Sequence, residues 1–299
     1  SVATYFGDIL VARASGLNQA IYDLSQVQVL KGVQGTLFGR NTTGGAIVLQ
    51  PQAPTDELEG SASVGVGNYA NREFTGVLNV PIADTLAMRV AGKFQQRDGF
   101  AENLETGQEL EDRDFQSWRA SLLWTPTDEF ESLTIYDHYE HDQGGTLSTI
   151  RAINPAAGAI AGYQGLSGAA SQLAFFPTVA AAFPNLVNLV AEQNARSDPR
   201  QFRSDVGVGR PNGDFFGELK SEVENKGIQN TSSYDMGSLT IKNMIGYRES
   251  YLDTVTDMDG SLAGLITPNQ GNDYDFFSDE FQLLGTALDE KLDWVAGLY

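Results

Sequence analysis

Apolar side chains recur at every second position over most of the chain after Gly60. In one such run, small, polar or charged residues alternate with Leu86, Met88, Val90 and Phe94. Successive side chains on a β-strand point to opposite faces, so this period predicts strands that each carry one apolar face. Soluble sandwiches alternate in the same way. The runs, however, extend over about ten residues, the length of a tilted transmembrane strand, and therefore favour a membrane β-barrel.

The connections between the predicted strands alternate in length. The compact ones are residues 68–71, 81–85 and 125–130, whereas 97–114 and 142–226 are long and 257–272 is intermediate. Outer-membrane barrels have short turns on one side and long loops on the other, although the first turn here, 68–71, breaks that rule. Aromatic residues at the strand ends suit the interfacial girdles of such a barrel: Phe115, Trp118, Trp124, Tyr247, Trp294 and Tyr299.

A glycine-dense stretch precedes the alternating region and lies between two short apolar runs, around Val27 and from Ala46 to Leu49. Glycine at this density indicates tight turns, positive φ or close backbone approach, as in a generic glycine-rich hairpin. The spacing is more specific than that, because it resembles the end of the plug domain of TonB-dependent outer-membrane receptors. The residues that match this plug signature are Lys31, Gly32, Gln34, Gly35, Gly39, Arg40, Asn41, Gly44, Gly45 and Ile47.

The resemblance implies an all-β membrane protein with two parts. We predict that residues 1–54 are the C-terminal part of a small α/β plug domain, with a turn at Gly7-Asp8. Residues 55–299 are then the N-terminal part of an antiparallel transmembrane β-barrel. Roughly nine strands are visible by their period, whereas a plugged transporter barrel has about 22. We therefore expect a fragment, with a partial plug against an open, curved sheet.

Composition narrows the class of protein further. The net charge of −20 argues against binding nucleic acid through its phosphates. Because the chain has no cysteine, no disulfide framework stabilises it, and stability must come from sheet closure or a core. No stretch reaches the roughly 20 apolar residues of a spanning helix. The predicted location is the outer membrane, in contact with its lipid.

Basic residues lie on the polar face of the predicted strands: Arg89, Lys93, Arg119, Lys242 and Arg248. In a soluble sheet they would form a solvated outer face. In a barrel the same residues point into the lumen, where they contact the plug or water. We predict the second arrangement, because the plug signature sets the context.

Three other motifs give weaker evidence of function than the plug signature does. The segment from Gly65 to Ala70 fits a dinucleotide fingerprint, but the strand pattern after it replaces the helix that such a site needs. His138 and His141 are three residues apart and face opposite sides of a strand, so they share a metal site only if the strand ends there. An acidic group offers calcium-type ligands but is also typical of a solvated loop: Glu109, Glu111, Asp112 and Asp114. We predict no catalytic, cofactor-binding or metal-binding residues.

The resemblance also implies a function. We expect TonB-dependent uptake of a scarce large solute, such as a ferric siderophore, across the outer membrane, without enzymatic chemistry. The implied partners are TonB with its inner-membrane energising complex, the lipid and the solute; the residues that contact the solute are not identified. One alternative is a non-transporting outer-membrane barrel, either an adhesin or a general porin. A second is a soluble, carbohydrate-active β-sheet protein.

Overall fold

In a computed structural model, the described residues are 2–11, 21–35, 42–104, 106–148, 203–204, 218–257, 268–288 and 291–299. Their regular elements are strands, and among them no helix has both the length and the apolar character needed to span a membrane. The first four strands are β1 (Val2–Phe6), β2 (Ile9–Val11), β3 (Leu24–Lys31) and β4 (Gly45–Pro51). The others are β5 (Glu59–Val66), β6 (Arg72–Ala83), β7 (Leu86–Arg97), β8 (Ala101–Asn103), β9 (Glu109–Leu110), β10 (Arg113–Thr127), β11 (Phe130–Gly144), β12 (Arg203–Ser204), β13 (Lys220–Asp235), β14 (Leu239–Val255), β15 (Asn269–Ala287) and β16 (Leu292–Leu298).

Nine of these strands form one large sheet, which we call the wall. Their order is β5-β6-β7-β10-β11-β13-β14-β15-β16, and each pairs antiparallel with the next. Within the described part of the chain, β5 and β16 each pair on one side only, so the wall is not a closed barrel. The prediction of an open, antiparallel barrel sheet of about nine strands is therefore confirmed.

Strands β1 to β4 form a second sheet, which we call the small sheet. Its order is β2-β1-β4-β3, with β1 and β4 parallel and the other pairs antiparallel. The predicted turn at Gly7-Asp8 joins β1 to β2, with Gly7 at φ +60°. The elements of the predicted α/β plug that the described residues contain in full are these four strands. The chain leaves the small sheet at Pro51 and enters the wall at Glu59, and the domain boundary at residue 54 stays a prediction.

Several wall strands are longer than the sequence predicted. Strands β10 to β15 of the wall contain 15 to 19 residues, and β11 and β13 remain paired as far as Gly144 and Lys220. The predicted loop over 142–226 was therefore too long. Beyond the apolar region most residues of β11 and β13 are polar, with isolated exceptions such as Tyr139 and Val223, so the ladder continues where the alternation is no longer visible in the sequence. The predicted turn at 81–85 was also wrong at its start, because Pro81 still pairs with Ala87 before a register shift.

The two faces of the wall differ in polarity. Direct cross-strand partners point to the same side of a sheet, and the face away from the small sheet carries exposed apolar side chains: Val64, Phe74, Leu78, Val90, Phe94, Trp118, Leu122, Trp124, Ile228, Ile245, Tyr247, Phe277 and Phe281. We call this set the outward belt. Trp118 of this belt also contacts the ring of Tyr136, with 5.1 Å between the two centroids. A water-soluble sheet rarely leaves so large a contiguous apolar surface uncovered.

Candidate functional site

The small sheet lies against the inner face of the wall, and Asp23 is the centre of their contact. Arg89 on β7 donates to the Asp23 carboxylate from Nε at 2.9 Å and from Nη2 at 2.6 Å. Arg119 on β10 donates from Nη2 to the Asp23 backbone oxygen at 2.7 Å. The three side chains are 5%, 11% and 2% exposed in the order Asp23, Arg89, Arg119. Such shielded, bidentate contacts are stronger than surface ion pairs.

Two aromatic rings of the chain before the wall surround Arg119. Its guanidinium carbon lies 5.7 Å from the centroid of Phe6 and 5.3 Å from that of Tyr22, within cation–π range. The Tyr22 hydroxyl hydrogen-bonds to the hydroxyl of Ser117 on β10, at 3.0 Å. Burial raises the pKa of Tyr22 above its usual value, so the phenol stays neutral and can donate this hydrogen bond. The arginine is therefore held both by charge and by stacking.

A third arginine, Arg248, reaches the small sheet from β14. Arg248 forms a bidentate pair with Asp137 on β11, at 2.7 and 3.0 Å, and lies 5.3 Å from the Phe6 ring. Between these two strands runs β13, whose residue at this position is Gly227. A Cβ at Gly227 would lie 2.8 Å from Arg248 Cζ and 2.9 Å from Asp137 Oδ1. The glycine thus leaves the space through which Arg248 crosses the neighbouring strand.

The β1–β2 turn makes the third contact with the wall. Asp8 accepts a hydrogen bond from Thr231 at 3.0 Å and pairs with Lys242 Nζ at 3.1 Å. Ile9 packs on Gly246, where a Cβ would approach its side chain to 2.9 Å. The buried side chains of Phe6, Leu49 and Ile135 form an apolar cluster across the same interface. The small sheet is therefore seated on strands from β7 to β14.

The predicted inward direction of the basic residues is confirmed for Arg89, Arg119, Lys242 and Arg248, which all contact the small sheet. Lys93 instead pairs with Glu73 on the neighbouring wall strand, at 2.9 Å. The sequence did not single out Asp23, Phe6 or Asp8 as contact residues. The sequence around a single acidic or aromatic residue does not indicate which distant residue it contacts in the folded protein.

Six of the plug-signature residues lie together at the end of the β3–β4 hairpin: Lys31, Gly32, Gln34, Gly35, Gly44 and Gly45. The Gly32 amide donates to the Gly44 carbonyl at 3.3 Å, and Gly32 has φ +87°. Gly45 has φ +141°, and a Cβ there would collide with the Leu30 carbonyl oxygen. Gly39, Arg40 and Asn41 lie outside the described residues, and the functional role of the whole set stays a prediction.

An apolar cluster lies further along the inner face, towards the end of the wall where β11 and β13 meet the longest connection. Phe115, Tyr139 and Val223 are each about 5% exposed or less. The Tyr139 hydroxyl lies 2.6 Å from Nδ1 of His141, whose Nε2 lies 3.0 Å from the Ser221 hydroxyl. His138 is on the opposite face of β11, as predicted for residues three apart on a strand that continues.

An open antiparallel wall with an apolar outer face and a charged inner face that seats a small mixed sheet has the architecture of a plugged outer-membrane receptor. The chain matches no protein-family model. It does match solved structures of receptors, and it spans about a third of their length.

Three of these structures illustrate the match. The ferric yersiniabactin uptake receptor FyuA from Yersinia pestis is 15% identical, with a TM-score of 0.65 over 99% of this chain and 38% of that receptor. The siderophore receptor PiuA from Acinetobacter baumannii is 14% identical, with a TM-score of 0.61 over 95% and 35%. The ferripyoverdine receptor of the outer membrane of Pseudomonas aeruginosa is 12% identical, with a TM-score of 0.58 over 94% and 33%.

At these identities the comparison establishes a shared fold. The predicted resemblance to TonB-dependent outer-membrane receptors is therefore confirmed in the fold. The Pseudomonas aeruginosa receptor is named as a receptor of the outer membrane, the location predicted for this chain. FyuA is named as an uptake receptor.

Proposed function

We propose that this chain belongs to a receptor that takes up a ferric siderophore, or a solute of similar size, across the outer membrane in a TonB-dependent step. The observation that carries the proposal is the way the small sheet is seated. Its contacts with the wall are made by side chains, and no backbone ladder joins the two sheets among the described strands. The small sheet can therefore move without opening the hydrogen bonds of the wall.

This arrangement suits a plug that must close the lumen at rest and move aside during uptake. A lumen wide enough for a large solute leaks unless it is filled, and the small sheet with its glycine-rich hairpin is the filling. Buried ion pairs hold it strongly at rest, because separating either partner leaves a charge unpaired. An external pull would have to break a limited set of side-chain contacts, among them those of Asp23, Phe6 and Asp8.

The outward belt supports placement in the lipid of the outer membrane. In hydrocarbon every backbone polar group needs an internal partner, which a ladder of paired strands supplies. The proposed protein partner is TonB, which delivers energy through the plug. No bond of the solute is broken in this mechanism, so we propose a transporter and not an enzyme.

The proposed solute class is supported by the matched structures. One is named as a ferric yersiniabactin uptake receptor and another as a siderophore receptor.

Two alternatives fit fewer observations. An adhesin or general porin has no need of a small sheet held by the buried Arg119 and the largely buried Arg89. A soluble, carbohydrate-active sheet would not expose the apolar outward belt to water. The plugged receptor accounts for both features.

Uptake of a radiolabelled ferric siderophore tests the proposal directly. Cells that lack the receptor are complemented with the wild-type gene, in strains with and without TonB. We expect uptake only when the receptor and TonB are both present. Diffusive entry of small solutes without TonB would instead identify a porin, and binding to surfaces without any uptake would identify an adhesin.

A further inference from the structure

A histidine and two glutamates come together on the outer face of the wall. His138 and Glu140 are two residues apart on β11 and point to the same side, and Glu224 on β13 is the direct cross-strand partner of Glu140. His138 Nε2 lies 3.3 Å from Glu224 Oε1. One ligand atom from each of the three side chains lies within 4.8 Å of the other two. Three ligand atoms at this spacing can close on one ion after small side-chain rotations, since metal–ligand bonds are about 2.0–2.2 Å long.

The charges of this group are incompletely balanced. Two carboxylates directly opposite each other on paired strands repel. Lys226 neutralises one of them, with its Nζ 2.6 Å from Glu224 Oε1. Among the described residues, the donor to Glu140 is the neutral amide of Gln116, whose Nε2 lies 2.8 Å from Oε2. A divalent cation placed between the carboxylates would remove the remaining repulsion.

We propose that His138, Glu140 and Glu224 form a binding site for a divalent transition-metal ion of the zinc type. An imidazole nitrogen and two carboxylate oxygens are ligands that Zn²⁺ accepts, and water can complete four-coordination. Lys226 competes with the metal, because its ammonium contacts Glu224 Oε1, the same oxygen that faces His138 Nε2. His141, the only other histidine of the chain, faces the inner side of the wall and takes no part.

The sequence predicted no metal site because it was read along one strand at a time. Along β11, the two histidines face opposite ways. The third ligand comes from β13, more than 80 residues away, and only the pairing of Glu140 with Glu224 brings it to His138. A metal ligand that comes from a paired strand cannot be recognised from the spacing of residues along a single strand.

The position of the site gives the metal a structural role. Strands β11 and β13 are joined by the longest connection of the chain, residues 145–219. The site lies four ladder pairs before the strand ends at Gly144 and Lys220, so an ion bound to His138 and Glu140 of β11 and to Glu224 of β13 would add a cross-strand link to a ladder that is already paired beyond it. That this end of the wall is the outer rim rests on the proposed function, whereas metal binding by the three side chains does not.

Metal titration of the protein in detergent tests the site. The protein is purified without a histidine tag and titrated with Zn²⁺ against a chromophoric chelator. His138→Ala should weaken the tightest site by at least about tenfold, since even the loss of an outer-sphere partner has that effect. Lys226→Gln should tighten it by about two- to fivefold, because an exposed ion pair no longer competes. His141→Ala, the matched control on the opposite face, should bind as the wild type does.

The gain of affinity in Lys226→Gln guards against misfolding, because a damaged protein would lose affinity. The proposal is overturned if His138→Ala retains wild-type affinity, or if His138→Ala and His141→Ala lose it equally. It is also overturned if Lys226→Gln fails to bind Zn²⁺ more tightly. All of these results are independent of siderophore uptake, so failure of this site and failure of the proposed transport function are distinguishable.

Discussion

Arg89 holds the carboxylate of Asp23 with two hydrogen bonds of 2.6 and 2.9 Å, and the pair joins the wall to the segment that leads into the small sheet. Asp23 has φ +48°, a conformation that aspartate tolerates better than most residues. Its backbone oxygen accepts a further hydrogen bond from Arg119. One acidic residue thus engages two wall arginines at once.

Replacing this acid should loosen the small sheet. In Asp23→Ala the nearly buried guanidinium groups of Arg89 and Arg119 lose their carboxylate, and breaking a buried pair from one side costs about 3–5 kcal/mol. We expect limited proteolysis to cleave residues 21–51 much faster in the variant, while the wall strands stay protected. Lys93→Met is the matched control, because the partly exposed Lys93–Glu73 pair is worth roughly 0–1 kcal/mol. Equal protease resistance of Asp23→Ala and the wild type would argue against Asp23 as an anchor.

Adding one methyl group at Gly227 should disrupt the contact at Phe6. In Gly227→Ala the new Cβ would meet Arg248 and Asp137 below 3.0 Å, so their bidentate pair must shift. We expect a loss of about 1–3 kcal/mol of stability, the usual penalty of overpacking. Thermal unfolding in detergent measures it. Gly271→Ala on β15 is the control, since no atom lies within 4 Å of its added Cβ, and a similar loss in both variants would contradict the proposed role of the space at Gly227.

Acid should stabilise the region around Asp112. This residue lies between β9 and β10, and burial raises the pKa of its carboxyl above 3.8, although the Gly144 amide donates to it at 2.6 Å. Because the folded protein binds this proton more readily than the unfolded chain does, its contribution to stability increases as the pH falls from the raised pKa towards 3.8. Asp112→Asn keeps an acceptor oxygen but cannot titrate.

The free energy of unfolding of the wild type and of Asp112→Asn is measured with denaturant at several pH values. Asp112→Asn should be the more stable at neutral pH, and the difference should shrink on acidification through the raised pKa. A difference that is constant with pH, or that grows in acid, would contradict this assignment.

The sequence predicted the wall better than it predicted the contacts. Alternation at Leu86 to Phe94 indicates which face is apolar, and the glycine spacing from Gly32 to Gly45 indicates the hairpin of the small sheet. Both are local patterns set by strand geometry. Strand ends such as Gly144 were missed because polar residues cover both faces there. The pairing of Asp23 with Arg89 and of Glu140 with Glu224 depends on register and on docking between sheets, which no local period records.

The central claim is that the small sheet must move against the wall during uptake, and a disulfide between them tests it. An ideal Cβ on Gly246 lies 2.9 Å from Cγ2 of Ile9, so cysteines in Ile9→Cys/Gly246→Cys are close enough to bridge. Since the chain has no other cysteine, the tether is unambiguous within it. Ser132→Cys/Ser232→Cys is the control, because its bridge joins two wall strands whose serine hydroxyls are 2.9 Å apart.

Uptake of the radiolabelled ferric siderophore is then measured in cells with each pair oxidised and again after reduction by dithiothreitol. We predict that the oxidised Ile9→Cys/Gly246→Cys receptor does not transport, that reduction restores transport, and that the wall control transports in both states. Wild-type uptake by the Ile9→Cys/Gly246→Cys receptor, with its cross-link verified by mass spectrometry, would contradict the account.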